Sequence, residues 1–135
     1  MESRHAIREA AFQALFALAT NPEDDKDAVY AEVLPQDTEV PAYLTTLVEA
    51  VLSKQADLDA ALTPQLKKGW TLNRLTKPDL IILRLGLYEI RYEEAMPEAA
   101  AINEAINLAK RYSDDQSAKF VNGILANFIQ AAPQA

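Results

Sequence analysis

Apolar side chains recur at spacings of three and four residues near the beginning of the chain, as they do in an amphipathic α-helix. Ser3 is a suitable N-cap for this helix, and Asn21-Pro22 is a sequence that ends one. The pattern therefore predicts a first helix over residues 3–19. Its apolar stripe comprises Ile7, Ala11, Phe12, Leu15, Phe16 and Leu18.

Two further apolar stripes predict helices over residues 26–34 and 41–62. Pro41 suits the first turn of the second of these helices, which a break could interrupt. Thr63-Pro64 has the form of an N-cap followed by proline at the first helical position. We therefore expect a short helix there that ends at Gly69.

A strong helix start follows at Thr76, whose side chain can cap the helix. The carboxylate of Asp79, three residues later, can in turn accept a hydrogen bond from the backbone N–H of Thr76. This helix extends to about residue 92 and is apolar on several sides, which indicates a central, surrounded position. Gly86 in its middle costs about 1 kcal/mol relative to alanine, and close approach of another helix would compensate for that cost. Gly123, inside the last predicted helix, indicates tight packing in the same way.

The final part of the chain predicts two helices. Met96-Pro97 opens the first, and Ser113 repeats the capping-box spacing before the second, which runs to about residue 130. Strand-like alternation is hard to find, and helix is the expected structure throughout. We predict an all-α fold in which residues 1–135 form one compact domain.

The net charge of −7 at first argues against nucleic-acid binding, but the acidity is local. Residues 20–39 hold seven acids and one lysine, while the rest of the chain, with 12 basic and 13 acidic residues, is nearly neutral. We interpret the acidic segment as a solvated loop and short helix. A basic face elsewhere is compatible with this composition, because phosphate binding depends on the local field.

The chain offers little for catalysis. It has one histidine, His5, and no cysteine, which excludes disulfides and thiolate metal sites and leaves too few ligands for zinc. The three glycines are widely separated, so the sequence contains no Gly-rich phosphate loop. We therefore expect no enzyme, no cofactor, no metal and no small-molecule substrate.

No apolar run approaches the roughly 20 residues of a membrane span. Charges from the second residue onward do not fit a signal peptide. These two observations predict a cytoplasmic protein without a membrane partner.

Two arrangements of arginines are candidates for anion binding. Arg4 and Arg8 are four residues apart and hence on one helix face, near a helix N-terminus where cations oppose the macrodipole. The alternative is that both are ordinary surface arginines. Arg84 stands alone in an apolar helix, where it either forms a structural ion pair with a carboxylate such as Glu104 or lies with Arg91 on a solvent-facing stripe.

Three blocks of the sequence, in matching order and spacing, resemble the NusB family. They are RHAIREAAFQALF at residues 4–16, LRLGLYEI at residues 83–90, and AINEAINLAKRY at residues 101–112 followed by KFVNGIL at residues 119–125. The last block is specific, and the match covers most of the chain. The resemblance implies an all-α fold of about seven helices.

The resemblance also implies binding of the boxA element of leader RNA in a heterodimer with NusE, a small-subunit ribosomal protein. The complex would join RNA polymerase and suppress premature termination, notably in ribosomal RNA operons. Single-stranded RNA is held by phosphate contacts and aromatic stacking. The positions that match RNA-binding residues of the family are Arg4, His5, Arg8, Arg84, Lys119, Phe120 and Asn122.

Phe120 is in this interpretation an exposed platform for a base, although its own pattern also allows a core position. Phe16 and Asp79 match positions on the NusE-facing surface, with Phe16 standing where tyrosine is common in the family. His5 and Ala6 interrupt an arginine run that is often denser in the family, so RNA binding is expected to depend on the partner. Two alternatives stay open: a helical protein-interaction module without RNA specificity, and a homodimer that masks the RNA face.

Overall fold

The structure is a computed structural model, and it describes residues 3–129. These residues form seven α-helices and three short 3-10 helices with no strand among them, which confirms the predicted all-α fold. The backbone divides into two compact units, the first ending at Ser53 and the second beginning at Lys54. That residues 1–135 form one domain stays a prediction.

The first unit contains α1 (Arg4–Thr20), α2 (Lys26–Val33) and α3 (Ala42–Ser53), and α1 packs against both other helices. The predicted N-cap is confirmed, because the backbone N–H of Ala6 donates to Ser3 Oγ at 3.1 Å. The apolar stripes lie inward, as their periodicity predicts. Their buried members include Ile7, Ala11, Phe12, Leu15, Leu18, Val29, Leu44, Leu47, Val48 and Val51.

The second unit contains α4 (Gln55–Leu62), α5 (Lys77–Tyr92), α6 (Glu98–Tyr112) and α7 (Asp115–Leu125). Helix α5 packs against α4, α6 and α7, so its predicted central position is confirmed. Its side chains are accordingly buried on several sides. They are Ile81, Ile82, Leu83, Leu85 and Leu87.

The two interior glycines differ in their surroundings. A Cβ on Gly86 would lie 2.7 Å from Leu125 Cδ1 and 3.3 Å from Ala105 Cβ, which confirms the predicted close approach of neighbouring helices. A Cβ on Gly123 would meet nothing within 4 Å. The prediction of tight packing at Gly123 is wrong, because this position of α7 faces solvent.

Three local predictions also differ from the structure. Thr63 follows α4 directly and its hydroxyl donates to the carbonyl of Asp59, so it ends that helix instead of capping a new one, and only the 3-10 helix Thr63–Gln65 follows. The side chain that caps α7 belongs to Asp114 and not to Ser113. Helix α7 ends at Leu125 and continues as a 3-10 helix, while the predicted end at residue 130 lies outside the described residues.

Among residues 3–129, no helix combines the length and the apolar character that crossing a bilayer requires. The same part of the chain holds no group of three or more His, Cys, Asp or Glu side chains arranged for a metal ion.

Candidate nucleic-acid interface

The basic residues at the start of α1 do not share one environment. Arg4 and His5 are exposed, and the Arg4 guanidinium carbon lies 4.4 Å from the centre of the Tyr43 ring. Arg8, one turn further along, is only 3% exposed. The expected pair of arginines on one accessible face is therefore wrong for Arg8, because spacing fixes the side of a helix but not its depth in the protein.

An open cavity of about 960 Å³ lies in the first unit beside Arg4. The α1 cap Ser3 and Ile7 of α1 line it, together with residues 38–42. Arg4 supplies its positive charge, but Glu39 is also part of the lining, so the cavity is not uniformly basic. Arg4 is therefore the basic side chain of this cavity that an anionic group could contact.

Arg84 forms a structural ion pair. Its Nε donates to Asp59 Oδ1 at 2.8 Å and its Nη2 donates to Asp59 Oδ2 at 2.9 Å, which joins α5 to α4 in bidentate geometry. The pair is partly buried. Of the two alternatives drawn from the sequence the ion pair is correct, but the partner is Asp59 and not Glu104. The ion pair gives Arg84 a structural role, and its contact with RNA stays a prediction.

Helix α7 presents the polar residues that the family resemblance singles out. Lys119 and Asn122 are exposed and three residues apart, so both side chains leave the same side of the helix. Phe120 is half-buried, and its ring lines a cavity of about 570 Å³ in the second unit. Phe120 is thus neither a core residue nor a fully exposed platform.

The other wall of this cavity comes from the segment between α4 and α5, which sequence reasoning missed. Trp70 is 45% exposed, and the guanidinium carbon of Arg74 lies 4.9 Å from the centre of its ring. Lys67 lines the same cavity. The sequence did carry a signal, since residues 60–78 contain four basic residues and no acidic one in a chain whose net charge is −7.

Neither of the two residues expected to face NusE is fully exposed. Asp79 is 8% exposed, with Oδ2 accepting from the Ser117 hydroxyl at 3.3 Å and Oδ1 unpaired among the described residues. The backbone N–H of Asp79 donates to Thr76 Oγ1 at 3.4 Å, which confirms Thr76 as the cap of α5. The predicted return bond from the Asp79 carboxylate to the backbone N–H of Thr76 is wrong, since the carboxylate turns to Ser117 instead. Phe16 is half-buried with its ring 6.2 Å from that of Phe12. Partner binding through Phe16 and Asp79 stays a prediction.

The described residues define a small all-α protein whose surface carries exposed cations next to aromatic rings. The NusB family model matches residues 5–130, and the chain belongs to the NusB family. The matched residues extend over both compact units.

Individual relatives agree with this assignment. Transcription antitermination protein NusB of Lacticaseibacillus paracasei is 97% identical, and the match covers 100% of each chain. The solved structure of T. maritima NusB superposes with a TM-score of 0.82 at 33% identity, covering 95% of this chain and 92% of that one. The crystal structure of antitermination factors NusB and NusE in complex with dsRNA has a TM-score of 0.79 at 22% identity, covering 93% and 94%, and shows the shared fold.

Proposed function

We propose that this chain is a transcription antitermination factor that binds leader RNA of the boxA type together with NusE and helps to assemble an antitermination complex on RNA polymerase. The observation that carries the proposal is its 97% identity, over its whole length, to a transcription antitermination protein NusB. A NusB in complex with NusE and RNA shares the fold. The proposed role is that of a binding subunit without catalysis, acting in the cytoplasm where bacterial transcription takes place.

The RNA contacts that we retain for this role come from accessible residues of each unit. Arg4 and His5 are exposed on α1, and Lys119 and Asn122 are exposed on α7. Phe120 would support a base where its ring borders the cavity. Arg8 is buried and Arg84 is paired with Asp59, so this proposal gives both side chains a structural role.

Competition binding tests the proposed function. A labelled boxA RNA should bind the chain mixed with NusE more tightly than a scrambled RNA of the same composition. Arg4→Ala and Lys119→Gln should each weaken binding and lower the slope of log affinity against log salt by about 0.7, the value for one phosphate contact on a single strand. Lys26→Gln, in the acidic segment, removes the same charge and should leave both quantities unchanged.

Equal affinity for boxA and scrambled RNA would refute the sequence-specific part of the proposal. Binding of NusE without any RNA binding would instead favour a pure protein-interaction module. Mass measurement with and without RNA tests the third arrangement, because a homodimer that masks the RNA face must dissociate when RNA binds.

A further inference from the structure

The segment between α4 and α5 is the most basic part of the chain. We define the tryptophan loop as residues 63–76. This loop and Lys77, which follows it directly, contain no acidic side chain and four basic ones, namely Lys67, Lys68, Arg74 and Lys77. The whole chain carries a net charge of −7. A local cluster of cations on an acidic protein attracts polyanions through its own field, whatever the total charge.

Hydrogen bonds fix the backbone of the tryptophan loop on both sides of Trp70. The N–H of Trp70 donates to the carbonyl of Lys67 at 2.9 Å, and Gly69 between them adopts a φ of +89°, which suits glycine. Arg74 Nη1 donates back to the carbonyl of Gly69 at 3.4 Å. The loop is therefore pre-organised, which lowers the entropic cost of binding through it.

The indole ring of Trp70 in this loop is exposed to solvent. Trp70 is 45% exposed, the largest exposed fraction among the large apolar side chains of the described residues. The Arg74 guanidinium carbon lies 4.9 Å from its ring centre, so a positive charge is held next to the aromatic surface. An exposed aromatic ring paired with a cation is the element with which proteins hold single-stranded nucleic acids.

The cavity beside the loop has the size and lining for a nucleotide. Its volume is about 570 Å³, within the range of about 300–1,000 Å³ that is typical of small-ligand sites. Trp70 and Phe120 both line it, and Lys67 and Arg74 add two cations. Asp79 and Asp114 also belong to the lining, so the phosphate is assigned to the side of the cavity formed by the tryptophan loop, which carries Lys67 and Arg74 and no carboxylate.

We propose that Trp70, Arg74 and Lys67 form a subsite for one nucleotide of a single-stranded RNA, with its base stacked on the indole ring and its phosphate beside the two cations. This inference rests on the proposed function and extends the RNA contacts from α7 onto the tryptophan loop. An acidic peptide is the competing occupant. RNA is favoured because a second aromatic residue, Phe120, lines the same cavity as the indole ring, and aromatic rings suit the flat faces of a base.

The chain contains one tryptophan, so its own fluorescence reports on this subsite. The experiment titrates the full chain, alone and with NusE, with a boxA RNA. RNA binding is followed by anisotropy of the labelled RNA, and stacking is followed by quenching of the Trp70 emission. Trp70→Phe supplies the background emission of the mixture. Quenching with the same midpoint as the anisotropy change is expected.

Substitutions test the two parts of the subsite separately. Trp70→Ala should weaken RNA binding about 5- to 150-fold, the range for loss of one stacked base, while Trp70→Phe should retain most of the affinity. Combined Lys67→Gln and Arg74→Gln substitutions should lower the salt slope by about 0.7, the value for the one phosphate of this subsite. Arg91→Gln is the matched control, because Arg91 is also exposed and lies 5.2 Å from the centre of an aromatic ring, that of Phe128.

The outcomes separate the two proposals. RNA binding without quenching, and with unchanged affinity of Trp70→Ala, would overturn the subsite and leave the proposed function intact. Quenching by NusE but not by RNA would overturn it as well, by assigning the loop to a protein contact. Absence of RNA binding in every mixture would refute the proposed function and the subsite together.

Discussion

Glycine-to-alanine substitutions at the two helical glycines offer a matched test of the packing around α5. At Gly86 the new Cβ would lie 2.7 Å from Leu125 Cδ1 and 3.3 Å from Ala105 Cβ, whereas carbon atoms in good contact are about 3.5–4.0 Å apart. Leu125 and Ala105 are both buried, so neither can turn into solvent. Something in the core must therefore move, at a cost of about 1–3 kcal/mol.

Alanine also favours the helix over glycine by up to about 1 kcal/mol, and this gain applies at both positions. At Gly123 nothing opposes it, because no atom lies within 4 Å of the new Cβ. Gly123→Ala should therefore stabilise the protein by up to about 1 kcal/mol, and Gly86→Ala should be less stable than Gly123→Ala by about 1–3 kcal/mol. Urea unfolding of the two variants and the parent, followed by circular dichroism, measures this difference. If Gly86→Ala proved as stable as Gly123→Ala, the close approach at α5 would be refuted.

Two further substitutions test polar groups of the interior. Arg84→Met should lower the free energy of unfolding by about 1–3 kcal/mol, because it removes two charge-assisted hydrogen bonds to Asp59. RNA affinity should stay unchanged. A double-mutant cycle with Asp59→Asn that finds no coupling energy between the two residues would contradict this. The Tyr30 hydroxyl is buried and unpaired among the described residues, and burial, followed by the charges of Glu49 and Asp27, raises its pKa. The unfolded chain therefore loses the tyrosine proton first, so stability is full below about pH 10 and falls as the pH rises towards the folded pKa. Urea unfolding between pH 8 and about pH 11 should show a smaller alkaline loss for Tyr30→Phe, and an unchanged loss would exclude this cause.

Much of the secondary structure could be predicted because its determinants are local. The caps at Ser3 and Thr76 and the apolar periodicity place the observed starts of α1 and α5 within one residue of the predicted ones. The family resemblance indicated the class of function for a similar reason, since its blocks are contiguous in the sequence. The local signals failed where several interpretations compete, as at Thr63-Pro64, where the threonine ends one helix instead of starting another.

The candidate site was predicted less completely, because accessibility is a property of packing. Arg4 and Arg8 share one helix face, yet only Arg4 is exposed. Trp70 is a large, mostly apolar residue of a kind that is often buried, and the sequence alone does not indicate that its ring is solvent-exposed beside Arg74. The run of cations around it would have drawn attention to this loop.

The sequence by itself therefore determined most of the helices, the lack of cysteine and the family. Only the tertiary structure decided which members of those helices are available to a ligand. Arg84 pairs with Asp59, 25 residues away in the sequence. Gly86 packs closely against Leu125 of another helix, while Gly123, which also lies inside a helix, has no side chain or neighbouring helix within 4 Å of its Cβ position. Backbone propensity depends on neighbours in sequence, whereas burial and ion pairing depend on neighbours in space, which no local pattern specifies.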